Sequence, residues 1–503
     1  MKLLRLTLLF ITIAIFLQLF PCTSHALEKL DRGVVAMSTS EGNVYVGWRL
    51  LASDPQNVAF DVLRCAEPDG ERKKLNNSPI KDSCNFVDTT ADGKSWYYVI
   101  HPINIGTFLS DSELVKSNPA DANDGCIKIN LQGDYGANKI GIADLDGDGV
   151  YDFVIKQPGM SIDPGRQRRS RDTYKIEAYN GRTGKFMWQK KNGRAWARDY
   201  PGTRGTPTID GGRLYHESPL GNIICLEAKA GDKIWELNIL QKFQSKTATW
   251  ALCESLLIDG NRLICCPGGP QTCMVALDKN TGSIVWKAPG IDELASYGSP
   301  ILVEYKGLRI IITLASKSII GVNADNGELL WHVKHESYIG ENVMMPIYND
   351  GHVFVSTLKT GSVKWRVNVQ NGKASLDELW RTLECDNQHS GVILVNGNLY
   401  GTSTFSNRGM WVCLDWETGE NKYVDKGVGK GSLTYADGML YMLGENKVME
   451  LAKPTQTGFE LISSFEIPEG GEGKSWAHPV VCGGRLYIRH GEFLYAYDVR
   501  KNI

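Results

Sequence analysis

A short turn recurs at nearly constant intervals along the C-terminal part of the chain. Asp-Gly or Asn-Gly pairs start at positions 210, 259, 350, 396 and 437, and Lys306-Gly307 and Gly483-Gly484 occupy the remaining places. The steps between these turns are 49, 47, 44, 46, 41 and 46 residues. A period of about 40 to 50 residues, with about four short strands per unit, is typical of a β-propeller. The repeat therefore predicts an all-β fold built from similar small sheets.

The number of repeat units predicts the number of blades. Seven units lie between about residues 204 and 502, and a longer unit from about 138 to 193 ends in the same pattern, T-G-K-F-M-W at 183–188. We therefore predict an eight-bladed β-propeller over residues 124–503, with the strand near residues 127–129 as the candidate to close the ring. A stack of separate sandwiches is the alternative, but it would not need a tryptophan at the same place in several units.

Those tryptophans predict how neighbouring blades hold together. Asp278 and Thr281, in the tight turn of residues 276–282, can hydrogen-bond exposed backbone groups. Trp286 follows four residues later, and we expect it to wedge between adjacent blades and bury a large apolar area. The segment matches the tryptophan-docking motif of quinoprotein alcohol dehydrogenases, A-x-D-x-x-T-G-x-x-x-W, at every position. Other units depart from the motif at Glu227 and Ala324, in the aspartate position, and at Tyr423, in the tryptophan position.

The first 123 residues have a different organisation. Lys2 and Arg5 precede an apolar run over residues 6–20, and small residues near position 26 offer a cleavage site. Residues 1–26 are thus predicted to be a secretory signal peptide, with an uncleaved anchor as the alternative, and the protein is expected to be periplasmic or extracellular. Residues 27–123 alternate with the period of strands and predict a small fibronectin-like β-sandwich, followed by a polar linker over residues 110–125.

Composition excludes several classes of protein. With 42% apolar and 22% charged residues the chain is globular, and no later stretch approaches a membrane span. The 55 basic and 57 acidic residues give a net charge of -2, so no basic field is available to recruit nucleic acid. Among the cysteines, Cys65 and Cys84 are the best candidates for a disulfide, whereas Cys225, Cys413 and Cys482 lie in apolar strand patterns typical of buried thiols.

From about residue 200 to the end, the chain resembles the pyrroloquinoline-quinone-repeat (PQQ-repeat) propellers. The resemblance rests on G-T-P-T at 205–208, C-P-G-G at 266–269 and K-G-S-L-T-Y-A-D-G at 430–438. That family includes quinoprotein dehydrogenases, an outer-membrane assembly lipoprotein and exported members without an assigned activity. The resemblance implies a propeller, and it leaves open whether a quinone is bound.

Residues 27 to about 160 resemble the start of family 11 rhamnogalacturonan lyases. The matching segments are R-G-V-V-A at 32–36, W-R-L-L at 48–51, K-L-N at 74–76, F-V-D-T at 86–89 and A-D-L-D-G-D-G at 143–149. This resemblance implies a propeller behind a β domain. The His-Gly-Asp motif and the further Asp-rich calcium loops of those lyases are missing from the later sequence, so the resemblance does not settle the lyase chemistry.

One acidic loop predicts a metal site. Asp144, Asp146, Asp148 and Asp152 alternate around Gly149, and the carbonyl of Val150 adds a further oxygen. Oxygen ligands at this spacing suit Ca²⁺, here in a structural role. A plain acidic hairpin is the alternative.

Two other features have a functional and a simpler interpretation. Cys265-Cys266 resembles the vicinal pair that quinoprotein dehydrogenases hold against the quinone. Because the pair continues a strand, its side chains should point to opposite faces, and a PQQ cofactor is therefore less favoured. A cluster of arginines could hold a uronate or could be a solvated loop, which we favour. Its members are Arg166, Arg168, Arg169 and Arg171.

The main predicted site lies at one mouth of the central channel. Residues just before the innermost strand of each blade converge there, and convergent polar groups in a concavity form the default binding site. Aromatic faces suit a sugar ring, and basic groups suit a carboxylate. His389 and His478 are the candidate catalytic proton shuttles. The predicted ligand-binding residues are Arg204, Trp250, Glu254, Tyr297, Asn342, Asn387, His389, Lys430, Trp476 and His478.

These features predict an exported propeller that binds a saccharide or another small ligand. The predicted role is in polysaccharide handling, with a lyase-like activity as the first enzymatic hypothesis. A lyase needs a base and a positive charge beside the uronate carboxylate. A PQQ-dependent dehydrogenase and a non-catalytic scaffold with a protein partner are the alternatives.

Overall fold

The computed structural model describes most of the chain from residue 32 onward. The described residues are 32–38, 42–51, 54–55, 57–81, 83–103, 110–117, 126–130, 140–147, 151–157, 173–181, 184–194, 196, 205–338, 340, 342–455, 457–469, 475–482, 485–491 and 493–499. The predicted signal peptide, the arginine cluster at 166–171, the Gly483-Gly484 turn and much of the predicted linker lie outside them.

Two antiparallel sheets form the N-terminal domain and share one core. One sheet has the order β1-β2-β5 and the other β4-β3-β6-β7. Val46, Trp48, Phe60 and Tyr98 are among the buried residues between them. The strands are β1 (Val35–Ser38), β2 (Val44–Gly47), β3 (Ala59–Cys65), β4 (Lys73–Lys74), β5 (Asn85–Asp88), β6 (Tyr97–Ile103) and β7 (Val115–Lys116).

The rest of the described chain forms eight four-stranded antiparallel sheets, and in seven of them the strands follow chain order. The first half comprises β8 (Cys126–Asn130), β9 (Ile140–Ala143), β10 (Asp152–Gln157), β11 (Thr173–Tyr179), β12 (Phe186–Arg194), β13 (Thr208–Asp210), β14 (Arg213–Glu217), β15 (Asn222–Glu227), β16 (Lys233–Asn238), a short helix α1 (Ile239–Lys242), β17 (Leu257–Asp259), β18 (Arg262–Cys265), β19 (Val275–Asp278), β20 (Ile284–Lys287), β21 (Ile301–Tyr305), β22 (Leu308–Leu314), β23 (Ser318–Asn323) and β24 (Leu329–Lys334).

The second half has the same pattern. Its strands are β25 (Ile347–Asn349), β26 (His352–Thr357), β27 (Gly361–Gln370), β28 (Lys373–Thr382), β29 (Val392–Val395), β30 (Asn398–Thr402), β31 (Trp411–Asp415), β32 (Asn421–Asp425), β33 (Gly431–Ala436), β34 (Met439–Gly444), β35 (Val448–Pro454), β36 (Phe459–Glu466), β37 (Val480–Cys482), β38 (Arg485–His490) and β39 (Phe493–Asp498). Small sheets in chain order, each packed on the next, are the arrangement of a β-propeller. No helix in the described residues is long and apolar enough to cross a membrane.

The last sheet takes its fourth strand from far ahead in the chain. β8 pairs with β39 in the order β37-β38-β39-β8. The strand near residues 127–129, the predicted candidate to close the ring, thus pairs with the last strand of the described chain. Phe153 of β10 packs against Leu494 of β39 and Tyr487 of β38, so the first and last of these sheets also share an apolar core.

Tryptophan docking connects consecutive sheets, as the motif predicts. The indole of Trp286 in β20 donates a 3.0 Å hydrogen bond to the carbonyl of Ala324 in the next sheet. A Cβ on Gly327 would lie 2.7 Å from that ring. The left-handed backbone of Gly327 (φ +80°) and its missing side chain are therefore both needed. Trp188, Trp235 and Trp380 repeat this contact with Ala228, Lys279 and Trp416.

The cysteines follow the predictions only in part. Cys225 and Cys413 are buried thiols, as predicted, while Cys482 is partly exposed. The predicted Cys65–Cys84 disulfide is wrong, because Cys65 is a buried free thiol in the described structure. Cys65 ends β3, whose partners are β4 and β6, whereas Cys84 precedes β5 of the other sheet.

Replacing a docked indole should cost more than replacing an undocked one. Trp331 is equally buried, but its ring nitrogen has no hydrogen-bond partner in the described structure. We expect Trp286→Phe to lower the free energy of unfolding by about 1 kcal/mol more than Trp331→Phe, the usual value of one hydrogen bond. Equilibrium unfolding in urea measures both. Equal losses would mean that the indole hydrogen bond does not stabilise the sheet-to-sheet contact.

Candidate functional site

The topology gathers two kinds of connection at one face of the propeller. In each antiparallel sheet, the segment leading into the first strand and the turn between the second and third strands lie at the same end. First strands of neighbouring sheets contact one another, for example β13 with β9 and β17, so they are the innermost strands. The segments before the first strands therefore lie at the same end of neighbouring sheets, where the sequence predicts the mouth.

One group of predicted residues comes together in space. The ring of His389, before β29, lies 4.7 Å from the ring of Trp476, before β37. His478 Nε2 lies 2.9 Å from the carbonyl of His389. Lys430, before β33, donates to the side chain of Gln388 at 2.9 Å. Three sheets thus supply one mixed aromatic and basic cluster.

Glu445, in the turn between β34 and β35, is the anion of this cluster. Its Oε1 lies 3.4 Å from His389 Nε2 and 3.5 Å from Lys430 Nζ. Burial raises the pKa of Glu445, but hydrogen bonding from His389 and the charge of Lys430 outweigh it, so the pKa is lower than usual. A carboxylate that stays ionised holds the imidazole and the ammonium in place. Together these are the parts of a site that can bind an anion and move a proton.

A second group lies at the adjacent sheets β17–β20 and β21–β24, which the sheet β25–β28 separates from the first group. The rings of Trp250 and Tyr297 are 6.0 Å apart, and the Tyr297 hydroxyl accepts a 3.2 Å hydrogen bond from the backbone of Trp250. Tyr297 is buried and Trp250 is partly exposed. This pair therefore gives a rigid aromatic wall.

Glu254 is deeply buried. Its Oε1 accepts a 2.7 Å hydrogen bond from the backbone N–H of Cys266, and it lies beside Glu217, at the end of β14. Burial raises the pKa of Glu254 to about 7. Burial and the neighbouring Glu254 carboxyl also raise the pKa of Glu217. The two carboxyl groups therefore retain protons at pH values above the usual range of glutamate, and their burial keeps them away from solvent.

The two predicted asparagines anchor the backbone. Asn342 is fully buried and donates to the carbonyls of Ala315 and His335 at 2.8 and 3.1 Å. Asn387 is also buried and bonds Gly391 and Thr402. Both hold the segments that lead into β25 and β29. The structure therefore does not bring these two amides to a ligand surface.

Arg204, the remaining predicted residue, lies outside the described residues. Glu445, Gln388 and Glu217 were missed by sequence reasoning. Glu445 belongs to a turn between the second and third strands, and such turns share a face with the segments before the first strand. That topological relation was the available signal for it. Nothing in the sequence marked Glu217, the last residue of the strand R-L-Y-H-E at 213–217.

The acidic loop places three of its carboxylates together. Ligand oxygens of Asp144, Asp146 and Asp152 all lie within 4.8 Å of one another. Asp152 is fully buried, and its two oxygens accept backbone N–H groups of Leu145 and Gly181. Asp148 and Val150 lie outside the described residues. The donor set, hard oxygens held by backbone bonds, fits a cation such as Ca²⁺.

The vicinal cysteines have the predicted orientation. Cys265 packs in the core between its own sheet and the preceding one, with Tyr215 and Cys225. Cys266 packs in the core with the following sheet, against Ile311 and Ile320. Opposite faces of a strand cannot offer one flat contact to a ring. The residues therefore do not fit a quinone stacked on this pair.

Two family models match the chain. The PQQ_2 model, described as outer membrane protein assembly factor BamB, matches residues 173–424, half of the chain. The chain belongs to this PQQ-repeat family. A second model, described as the β-sheet domain of rhamnogalacturonan I lyases, matches residues 25–117. The two resemblances found in the sequence are thus confirmed.

Curated relatives include two lyases of Bacillus subtilis. The chain is 30% identical over 177 residues to the rhamnogalacturonan exolyase YesX and 33% identical over 177 residues to the endolyase YesW. Each match covers 33% of this chain and 27% of the relative. The PQQ-repeat chain thus matches about a quarter of the length of these relatives.

Solved structures show the same fold over a longer span. The rhamnogalacturonan lyase PL11 of Bacillus licheniformis has a TM-score of 0.59 and 17% identity, covering 94% of this chain and 90% of that one. BamB of Moraxella catarrhalis has a TM-score of 0.50 and 15% identity, covering 74% of this chain and 99% of that one. Both structural similarities show the fold of this PQQ-repeat chain.

The buried carboxyl pair predicts a pH-dependent stability. Glu254 is protonated in the folded protein but ionised in the unfolded chain between pH 4.5 and about 7. The folded state binds more protons there, so stability falls as pH rises through this range, and the raised pKa of Glu217 acts in the same direction. Glu254→Gln keeps the oxygen that Cys266 bonds and removes the titration. We expect the variant to be more stable than the wild type at pH 8. At pH 4.5 the difference in stability between the two should be much smaller.

Thermal unfolding at several pH values measures this effect. Glu304→Gln, at an exposed position of β21, is the matched control and should follow the wild type throughout. A wild-type curve that does not fall between pH 4.5 and 7, with Glu254→Gln parallel to it, would contradict the expectation.

Proposed function

We propose that the sheets of residues 126–498 close into an eight-bladed propeller behind a fibronectin-like sandwich. In this proposal the protein is exported and binds a saccharide, with an acidic sugar unit as the preferred ligand, at the mouth formed by the segments before the inner strands. Its role is polysaccharide handling. The sheet order, the shared core of the first and last sheets and the two family matches support this architecture.

The single observation that carries the proposal is the cluster around His389. An aromatic face, Trp476, lies beside an imidazole and an ammonium group, and three different sheets supply them. Lys430 is 24% exposed and can approach a carboxylate, and Trp476 is partly exposed and can pack on a sugar ring. Glu445 holds the imidazole of His389 and the ammonium group of Lys430 in place, so ligand binding costs little side-chain conformational entropy.

Lyase chemistry is the activity that this cluster supports best. A base takes the proton next to the uronate carboxylate, the electron pair forms a carbon–carbon double bond, and the glycosidic oxygen leaves. His389 or His478 supplies the base, and Lys430 stabilises the charge that develops on the carboxylate. The names of the relatives YesX and YesW, both rhamnogalacturonan lyases, support this choice of reaction.

A non-catalytic scaffold is the second candidate. The match to the family described as an outer membrane assembly factor supports it. A quinoprotein dehydrogenase is less favoured, because Cys265 and Cys266 face opposite sides of their sheet.

Removing either side chain of the mouth cluster should weaken saccharide binding. We expect His389→Ala and Lys430→Gln each to lower the affinity for rhamnogalacturonan I by about tenfold, the value of one hydrogen bond to a charged group. Affinity electrophoresis measures binding, and ultraviolet absorbance of unsaturated products measures cleavage. His352→Ala, which removes a partly exposed imidazole at the opposite end of its sheet, is the control. If the polysaccharide does not retard the wild-type protein in the gel, the saccharide proposal is wrong and the scaffold is favoured.

We propose that the acidic loop holds a structural Ca²⁺. Asp144, Asp146 and Asp152 would be its ligands in the described chain, together with Asp148 and the carbonyl of Val150. The ion would join β9 and β10 at one end of the first sheet and neutralise carboxylates that otherwise repel one another.

Calcium should therefore raise the midpoint of thermal unfolding of the wild type. Asp146→Asn should lose most of that increase, because it removes a charged ligand while keeping an oxygen. Asp437→Asn is the control, since Asn-Gly is as good a turn as Asp-Gly there. The same calcium response in Asp146→Asn and the wild type would contradict the site.

A further inference from the structure

Three side chains form an exposed platform on the face that carries the mouth. Tyr338 follows β24, Lys359 lies in the turn between β26 and β27, and Phe405 lies in the loop between β30 and β31. The Lys359 ammonium is 3.7 Å from the centre of the Tyr338 ring and 4.5 Å from that of Phe405. Tyr338 is nevertheless 65% exposed and Phe405 54% exposed. Two large aromatic rings thus stay in water while their faces hold a cation.

A buried carboxylate holds this platform in place. Asp386 is fully buried and accepts the backbone N–H of Lys359 at 3.1 Å and that of Phe405 at 3.0 Å. It also accepts the Ser403 hydroxyl and the N–H of Ser406. A buried charge needs such partners, and here they come from two loops of different sheets. Asp386 therefore fixes the loops that present Lys359 and Phe405.

The backbone of these loops is also unusual. Lys359 has φ +58° and Arg408 has φ +54°, values that side-chain-bearing residues rarely adopt. Strained residues persist where the surroundings determine them, and they are frequent at binding sites. The hydrogen bonds of Asp386 hold the two loops in this conformation.

The two cationic side chains of the platform loops make no direct ion pair in the part of the chain that the structure describes. In the described structure, neither Lys359 nor Arg408 has a carboxylate within ion-pair distance. The acidic groups of the adjacent segments are engaged elsewhere. Glu336 pairs with Lys334 at 3.7 Å, and Glu384 accepts from Asn421 at 3.1 Å. An anion from outside is the complementary partner.

The platform is continuous with the mouth. Asp386 is followed directly by Asn387, Gln388 and His389, so the Cα atoms of Asp386 and His389 are at most about 11 Å apart. A Cβ on Gly409, in the loop of Phe405, would lie 3.1 Å from Cβ of Lys430. The two surfaces therefore border one another.

We infer that Tyr338, Lys359 and Phe405 form a second subsite, which binds a uronate unit of an acidic polysaccharide whose neighbouring units lie at the mouth. This inference rests on the proposed function. Lys359 meets the sugar carboxylate, and the open parts of the two rings contact the apolar face of the sugar. Because the subsite is separate from the His389 cluster, it adds affinity for long chains and not for single sugars.

Variants of the platform test the inference. We expect Lys359→Gln and Phe405→Ala each to lower the affinity for polygalacturonate by about tenfold, and Lys359→Gln to reduce the salt dependence of binding. Affinity for monomeric galacturonate should stay unchanged. Lys306→Gln is the matched control, because Lys306 also has a positive φ and lies 5.1 Å from a tyrosine ring, but in a turn at the opposite end of its sheet.

The outcomes separate this inference from the proposed function. A wild-type chain that binds no acidic saccharide overturns both. Wild-type binding that His389→Ala weakens and Lys359→Gln and Phe405→Ala leave intact overturns the platform alone. Polyglutamate bound as tightly as polygalacturonate, with the same losses in the variants, would make the platform a site for acidic protein segments and overturn the saccharide assignment. Unchanged thermal unfolding of the variants excludes a folding defect.

Discussion

An indole of one sheet docked on a glycine turn of the next holds the repeated sheets together. The hydrogen bond from Trp286 to Ala324 and the close approach of Gly327 to the same ring show both parts of this contact. A propeller blade cannot bury both of its faces alone, so its stability depends on its neighbours. Where the indole finds no acceptor, as at Trp331, apolar packing replaces the hydrogen bond, and the core there includes the large Trp365.

The proposed mouth depends on these contacts between sheets, because its members come from different sheets. His389, Lys430 and Trp476 are separated by more than 40 residues from one to the next, and only the packing of β29, β33 and β37 side by side brings them together. The same packing leaves Asn342 and Asn387 to hold the backbone. The proposed binding surface and its supporting bonds thus come from neighbouring segments, and the buried Asp386 holds the loops of Lys359 and Phe405 beside it.

Local rules predicted part of this arrangement. The Asp-Gly turns and the docking of Trp286 follow from short sequence patterns, and both are present. Docking of Trp380 was missed because β27 and β28 are long, and this moves the tryptophan eight residues from the turn glycine, Gly372, instead of four. The Cys65–Cys84 disulfide was wrong because residues beside one turn-rich segment belong to two different sheets.

The sequence alone determined the all-β repeat, the two family resemblances and the opposite orientation of Cys265 and Cys266, because each depends on residues close together in the chain. Only the tertiary structure decided which polar residues meet. Glu445 joins His389, Glu217 lies beside Glu254, and Asp386 fixes two distant loops. These pairings join separate sheets or separate loops, and their distances are set by how the sheets pack, which no local pattern encodes.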